Sequence, residues 1–108
     1  MDPDDIRDLF RSVGPVTIRR MFGGKGVYVD GLIVAVDLRG ELMLKGDAEA
    51  GPLYEQAGSK RWSYTHRKTG REVLMPYWPI PSSAFDDPDE AERWARIALG
   101  AAIRSGGN

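Results

Sequence analysis

Val27-Tyr28-Val29-Asp30-Gly31-Leu32-Ile33-Val34-Ala35-Val36-Asp37 decides the fold. Two runs rich in β-branched residues flank an Asp-Gly pair. That dipeptide accepts the two positive φ angles of a tight hairpin turn, so the segment predicts two antiparallel strands. Outward from it, Val16 to Met21 alternates as a strand on the N-terminal side. On the C-terminal side, Arg39-Gly40 turns the chain into Glu41–Lys45, which completes a four-stranded meander. Between the first two strands, Phe22-Gly23-Gly24-Lys25-Gly26 reads as a bulged or tight connection whose three glycines supply positive φ.

Helices bracket the meander. Asp2 caps the first and Pro3 opens it, with Ile6, Leu9, Phe10 and Val13 at helical spacing before Gly14-Pro15 stops it. A second short helix is expected over Ala48–Ala57, capped by Asp47 and ended by Gly58. Arg61–Arg67 then reads as a strand joined through Thr69-Gly70 to Arg71–Trp78, whose far end Pro76, Pro79 and Pro81 place at a sheet edge or out of the sheet. The last helix carries the clearest signal: Asp87-Pro88-Asp89-Glu90 caps it, and Ala91, Trp94, Ala95, Ala98, Leu99 and Ala102 form its apolar stripe. Ser105 to Asn108 reads as a frayed tail. The expected class is α+β, with three helices on one face of a mostly antiparallel sheet of about six strands, in the order α-β-β-β-β-α-β-β-α. No repeat, low-complexity tract or linker divides the 108 residues, so a single domain over 1–108, ordered from about 3 to 104, is expected.

Composition excludes several function classes. The chain has no cysteine, which removes disulfides, thiolate metal sites and a cysteine nucleophile. Its acidic N-terminus is unlike a signal peptide, and the longest apolar run, Leu32–Val36, is far short of a membrane span. A cytoplasmic location is expected. Net charge is −1, yet the distribution is uneven. Residues 14–29 and 58–71 hold basic residues and no acid, whereas Asp2, Asp4, Asp5 and Asp8, and again Asp86, Asp87, Asp89, Glu90 and Glu92, gather at the helix starts. Helix N-termini favour acids for their own stability, so only the basic half asks for a function.

The candidate interaction surface is therefore Arg19, Arg20, Lys25, Lys60, Arg61, Arg67, Lys68 and Arg71. Arg19 and Arg20 are neighbours on a strand and must face opposite sides, one toward water and the other toward an edge or an acid. Trp62, Tyr64 and His66 share a strand face, and the period favours packing of Trp62 and Tyr64 under the C-terminal helix over base stacking. The glycine stretch fails as a phosphate loop, because Lys25 is followed by Gly26 and a strand rather than by Ser or Thr opening a helix. His66, the lone histidine, has no nucleophile or orienting group assignable beside it. The acids at 86–90 read as a helix cap, not a cation site. No catalytic, metal or cofactor site is expected.

Several of these segments carry a family resemblance. Gly14-Pro15-Val16, Arg19-Arg20-Met21-Phe22-Gly23-Gly24 and Gly26-Val27-Tyr28-Val29-Asp30-Gly31 resemble the signature of the TfoX (Sxy) N-terminal domain. Glu41–Lys45 is similar to the family's "ELYLK"-type strand, Ala57-Gly58-Ser59 to its helix end, and Val73–Trp78 to its "MSYY"-type strand; Asp86-Asp87-Pro88 with Trp94-Ala95 resembles its closing helix. The resemblance runs from about residue 4 to 104. It implies a YgaC/TfoX-N-like fold, related in shape to secretion chaperones. It also implies a non-catalytic regulatory role, since full-length members regulate natural transformation with the cyclic-AMP receptor protein at competence promoters. Those members carry a further C-terminal helical domain, so the expectation here is the N-terminal domain standing alone. The family supplies no catalytic or ligand residues to carry over. The expected partner is a protein, such as a transcription regulator, with a homodimer as one form of contact. The alternatives are nucleic-acid binding through the basic segments 19–25 and 60–71, or a small ligand held in a cleft near the Gly23–Gly26 loop.

Overall fold

The computed structural model describes residues 1–21 and 23–106. Phe22 of the glycine-rich connection and Gly107 and Asn108 of the tail lie outside them. The architecture is α+β. Strands β1 (Thr17–Met21), β2 (Gly24–Val29), β3 (Leu32–Leu38) and β4 (Glu41–Lys45) form the expected meander, and β7 (Tyr77–Pro79) adds beside β4, so the five-stranded order is β1-β2-β3-β4-β7. Every pairing is antiparallel. Both tight turns take the mirror-type hairpin geometry: Asp30 and Gly31 at φ 50° and 80°, Arg39 and Gly40 at φ 55° and 81°. A bulge opposite Val27/Tyr28 shifts the β2–β3 register, so Val27 faces Ala35 while Tyr28 faces Ile33.

Helix α1 (Pro3–Leu9) is capped by Asp2, whose carboxylate accepts from the Asp4 N–H at 2.8 Å. Helix α4 (Pro88–Arg104) is capped in the same way by Asp87, whose carboxylate accepts from the Asp89 N–H at 2.9 Å. Helix α2 spans Gly51–Gln56, shorter than the sequence suggests. Asp47 caps the turn before it, accepting from the Glu49 and Ala50 N–H groups, and Pro52 lies in the first helical turn, where its missing donor costs nothing. A further short helix, α3 (Ser83–Asp86), lies in the segment between β7 and α4.

The C-terminal hairpin departs most from the sequence pattern. Arg71–Trp78 is not one strand. Pro76 has no N–H for a ladder, so the chain makes β6 (Glu72–Leu74), bulges at the proline, and resumes as β7. Trp62 spans the bulge: its carbonyl accepts from Met75 and its N–H donates to Tyr77, both at 2.9 Å. The facing strand β5 is only Ser63–Thr65, and β5 with β6 forms a separate two-stranded ribbon. His66 to Arg71 closes it, with Gly70 at φ 68°.

The helices cover one face of the five-stranded sheet. Buried on α4 are Trp94, Ala95, Ala98, Ala101 and Ala102, and four of these five are alanines that let the helix backbone come close to β3 and β4. Ile6, Leu9 and Phe10 of the first helical segment join Val27, Val34, Ala35, Leu42 and Leu44 in the same core. Tyr54 sits at its centre, with ring centroids 5.6 Å from Trp94 and 5.8 Å from Trp78. Its hydroxyl donates to the Lys45 carbonyl at 2.7 Å, and burial pushes its pKa well above the usual phenol range. Arg104 near the end of α4 reaches back to Asp47 at 2.7 Å and ties the last helix to the start of α2.

Candidate interaction surface

The other face of the sheet has no helix over it, yet its centre is buried. Val36, Met43 and Tyr77 are buried there, packed by Met21, Ile33, Leu38, Trp62 and Met75. The cover comes from the strands' own side chains. Gly26 and Tyr28 share this face at i and i+2. A Cβ on Gly26 would stand 2.9 Å from the Tyr28 ring and 2.8 Å from the Met21 sulfur, so the glycine is where both side chains lie down across the sheet. This corrects the sequence reading of the three glycines: only Gly23 takes positive φ, at 78°, whereas Gly24 and Gly26 are strand residues chosen for close approach.

Charge and aromatic groups frame the patch. The Arg19 guanidinium stands 5.3 Å from the Tyr28 ring centroid, and the Lys45 ammonium 5.3 Å from that of Tyr77. Burial lowers the Lys45 pKa, opposed by the Asp47 charge. The Tyr77 hydroxyl is pushed up by burial and then by the proximity of Tyr28. Trp62 packs on Tyr77 with centroids 6.4 Å apart. The patch is an apolar floor rimmed by two phenols and two cations.

The β5–β6 ribbon extends this surface outward. Trp62, Tyr64 and His66 do share a face, but not the one under α4. Trp62 joins the open-face cluster, and Tyr64 is 46% exposed because the ribbon has left the sheet that α4 covers. Leu74, on the ribbon's other side, is 54% exposed. His66 is exposed at the tip, its Nδ1 accepting from the Lys68 N–H at 3.3 Å. Among the described residues, no group of three or more His, Cys, Asp or Glu could hold a metal ion.

The eight basic residues do not form one surface. Lys60, Arg61, Arg67, Lys68 and Arg71 belong to the ribbon and its approach. Arg61 is held there by its Nε–H to the Met75 carbonyl at 2.7 Å and by stacking 4.7 Å from the Trp78 ring. Arg19, Arg20 and Lys25 lie at the far side, on β1 and β2, four and three strand steps, or roughly 19 and 14 Å, across the sheet from β7. Arg19 looks onto the open face, and Arg20 with Lys25 onto the other, beside a recess at the sheet's end. Arg20 is exposed on the edge strand β1, in keeping with the edge placement expected of one of the pair. None of the eight is in an ion pair among the described residues, in contrast to Arg7, Arg11, Arg96 and Arg104 on the helices.

A family model, the TfoX N-terminal domain, matches residues 8–102. The chain belongs to that family. The match spans the meander, the ribbon and most of α4, so both the open face and the basic ribbon are parts of the TfoX N-terminal domain itself. No curated protein matches the chain. Sequence reasoning missed Tyr28, Tyr77 and Gly26 as makers of the open face. The usable signal was a glycine two residues before a tyrosine on one strand, a spacing that lets a ring cover a missing side chain.

Proposed function

We propose that this TfoX N-terminal domain is a non-catalytic, cytoplasmic binding module of transcriptional regulation. It takes a protein partner on the open sheet face and the adjoining ribbon. The observation that carries this reading is an apolar cluster with no helix over it, continued on the ribbon through Trp62 to the exposed Tyr64, with Leu74 exposed on the ribbon's opposite side. Surfaces of that kind, rimmed with polar groups, are docking surfaces more often than accidents. The free edge of β1 is the weaker alternative, since Arg19 and Arg20 blunt it with charge. The test is capture by the tagged chain, compared with a Tyr64→Asp/Leu74→Asp variant. A transcription regulator recovered by the first and lost by the second supports the reading. Recovery of metabolic enzymes alone contradicts it. Light scattering on the same samples separates a homodimer from a monomer.

A second reading follows from the ribbon's charge. Lys60, Arg67, Lys68 and Arg71 are exposed and unpaired by acids, and a two-stranded ribbon fits a major groove about 12 Å wide. Direct DNA binding through these four would weaken with salt at a log–log slope of about −3 to −4. Titration of labelled duplex at low salt discards this reading if nothing binds.

A further inference from the structure

The remaining basic residues meet at the other end of the molecule. Residue pairing places Arg20 directly opposite Lys25, and Lys25 opposite Asp37, in one row across β1, β2 and β3. Side chains so paired lie about 5 Å apart at Cβ, and like charges directly opposite destabilise a sheet. Arg39 joins them from the β3–β4 turn. The three cations line a recess of about 590 Å³ together with Gly23, Gly24 and Gly40. That volume is in the range of small-molecule sites.

The charge there is not balanced from within. Among the described residues Asp37 is the only acid in the lining, and one of its oxygens already accepts from the Met1 ammonium at 3.0 Å. Lys25 donates to the Met1 carbonyl at 3.3 Å, which leaves its other two N–H donors for a ligand. Arg20 and Arg39 have no hydrogen bond or ion pair among the described residues. Arg39 also holds φ 55°, where glycine, asparagine or aspartate is the usual occupant. The hairpin turn thus holds an arginine, in place of its usual residues, at the mouth of a cationic recess.

We propose that this recess binds a small phosphate-bearing anion. A single carboxylate would answer one of the three cations. A phosphate ester or diphosphate carries two to three charges and enough oxygens for the guanidinium forks of Arg20 and Arg39 with the Lys25 ammonium between them. A nucleic-acid backbone presents the same chemistry, but it needs a row of cations along a surface rather than a recess.

Isothermal titration of the full chain with inorganic pyrophosphate, at constant ionic strength, tests the proposal. Saturable one-to-one binding is expected, weakened about tenfold by Arg20→Ala and again by Arg39→Asn. Arg39→Asn suits the left-handed turn, so its melting temperature should hold or rise while binding falls, which separates loss of the site from loss of the fold. The ribbon variant Arg67→Ala/Lys68→Ala should bind as the parent does. Absence of saturable binding overturns the proposal, as does binding that survives both recess substitutions. A short DNA duplex that loses affinity on Arg20→Ala while pyrophosphate fails to bind would assign the recess to nucleic acid instead.

Discussion

The two faces of one sheet are built by opposite means. The helix face is sealed by another element, with Trp94 and Tyr54 interlocked above Val34, Ala35 and Leu44. The open face is sealed by its own strands, with Tyr28, Met21 and Tyr77 folded across Gly26, Val36 and Met43. The first arrangement needs the whole chain to be in place. The second is covered by side chains alone, with no further element over it, which suits docking. Stability should therefore concentrate on one face and binding on the other.

Substitutions rank the faces directly. Trp94→Ala empties the largest fully buried site and should destabilise by about 3–5 kcal/mol in chemical denaturation. Gly26→Leu, on the open face, forces Tyr28 and Met21 off the sheet and should cost about 1–3 kcal/mol while leaving the fold intact by circular dichroism. An equal or larger loss than Trp94→Ala would erase the distinction between the faces. Asp47 offers a smaller and pH-dependent effect. The Arg104 side chain, with the Ala50 and Glu49 N–H groups, holds its carboxyl down to about 2 against a burial effect in the other direction. A carboxylate depressed in the folded state stabilises above its unfolded pKa of about 4, and that contribution disappears as pH falls toward 2. Asp47→Ala should thus cost about 1 kcal/mol at neutral pH and flatten the loss of stability between about pH 4 and pH 2. Smallest of all, Tyr64→Ser and Leu74→Ser on the ribbon should each shift stability by no more than about 0.5 kcal/mol.

Most of the scaffold was legible because its signals are local. Asp30-Gly31, the caps at Asp2 and Asp87, and the α4 stripe each need only a few neighbouring residues to be read. The family assignment was legible for the same reason, in segments such as Arg19-Arg20-Met21 and Val27–Gly31. What escaped reading depends on pairing between distant segments. Pro76 signalled an edge strand, but its bulge is visible only once Trp62 is seen to bond on both sides of it. Tyr64 looked like a core residue by period, and the period was right. The strand carrying it left the main sheet, so the same face met solvent. The eight cations looked like one surface because they lie in two acid-free runs, and the sheet order placed those runs on opposite sides. Arg39 read only as a turn residue, because its partners Arg20 and Lys25 become neighbours only across the β1–β2–β3 register.

The division between a face for stability and a face for binding is tested most directly by the Tyr64→Asp/Leu74→Asp variant. Its melting temperature and its capture of a partner should be measured on the same preparation. The melting temperature should stay within about 6 °C of the parent, from a stability change of no more than about 1 kcal/mol, while the transcription regulator is no longer captured. Unchanged capture of that regulator at an unchanged melting temperature would contradict that division.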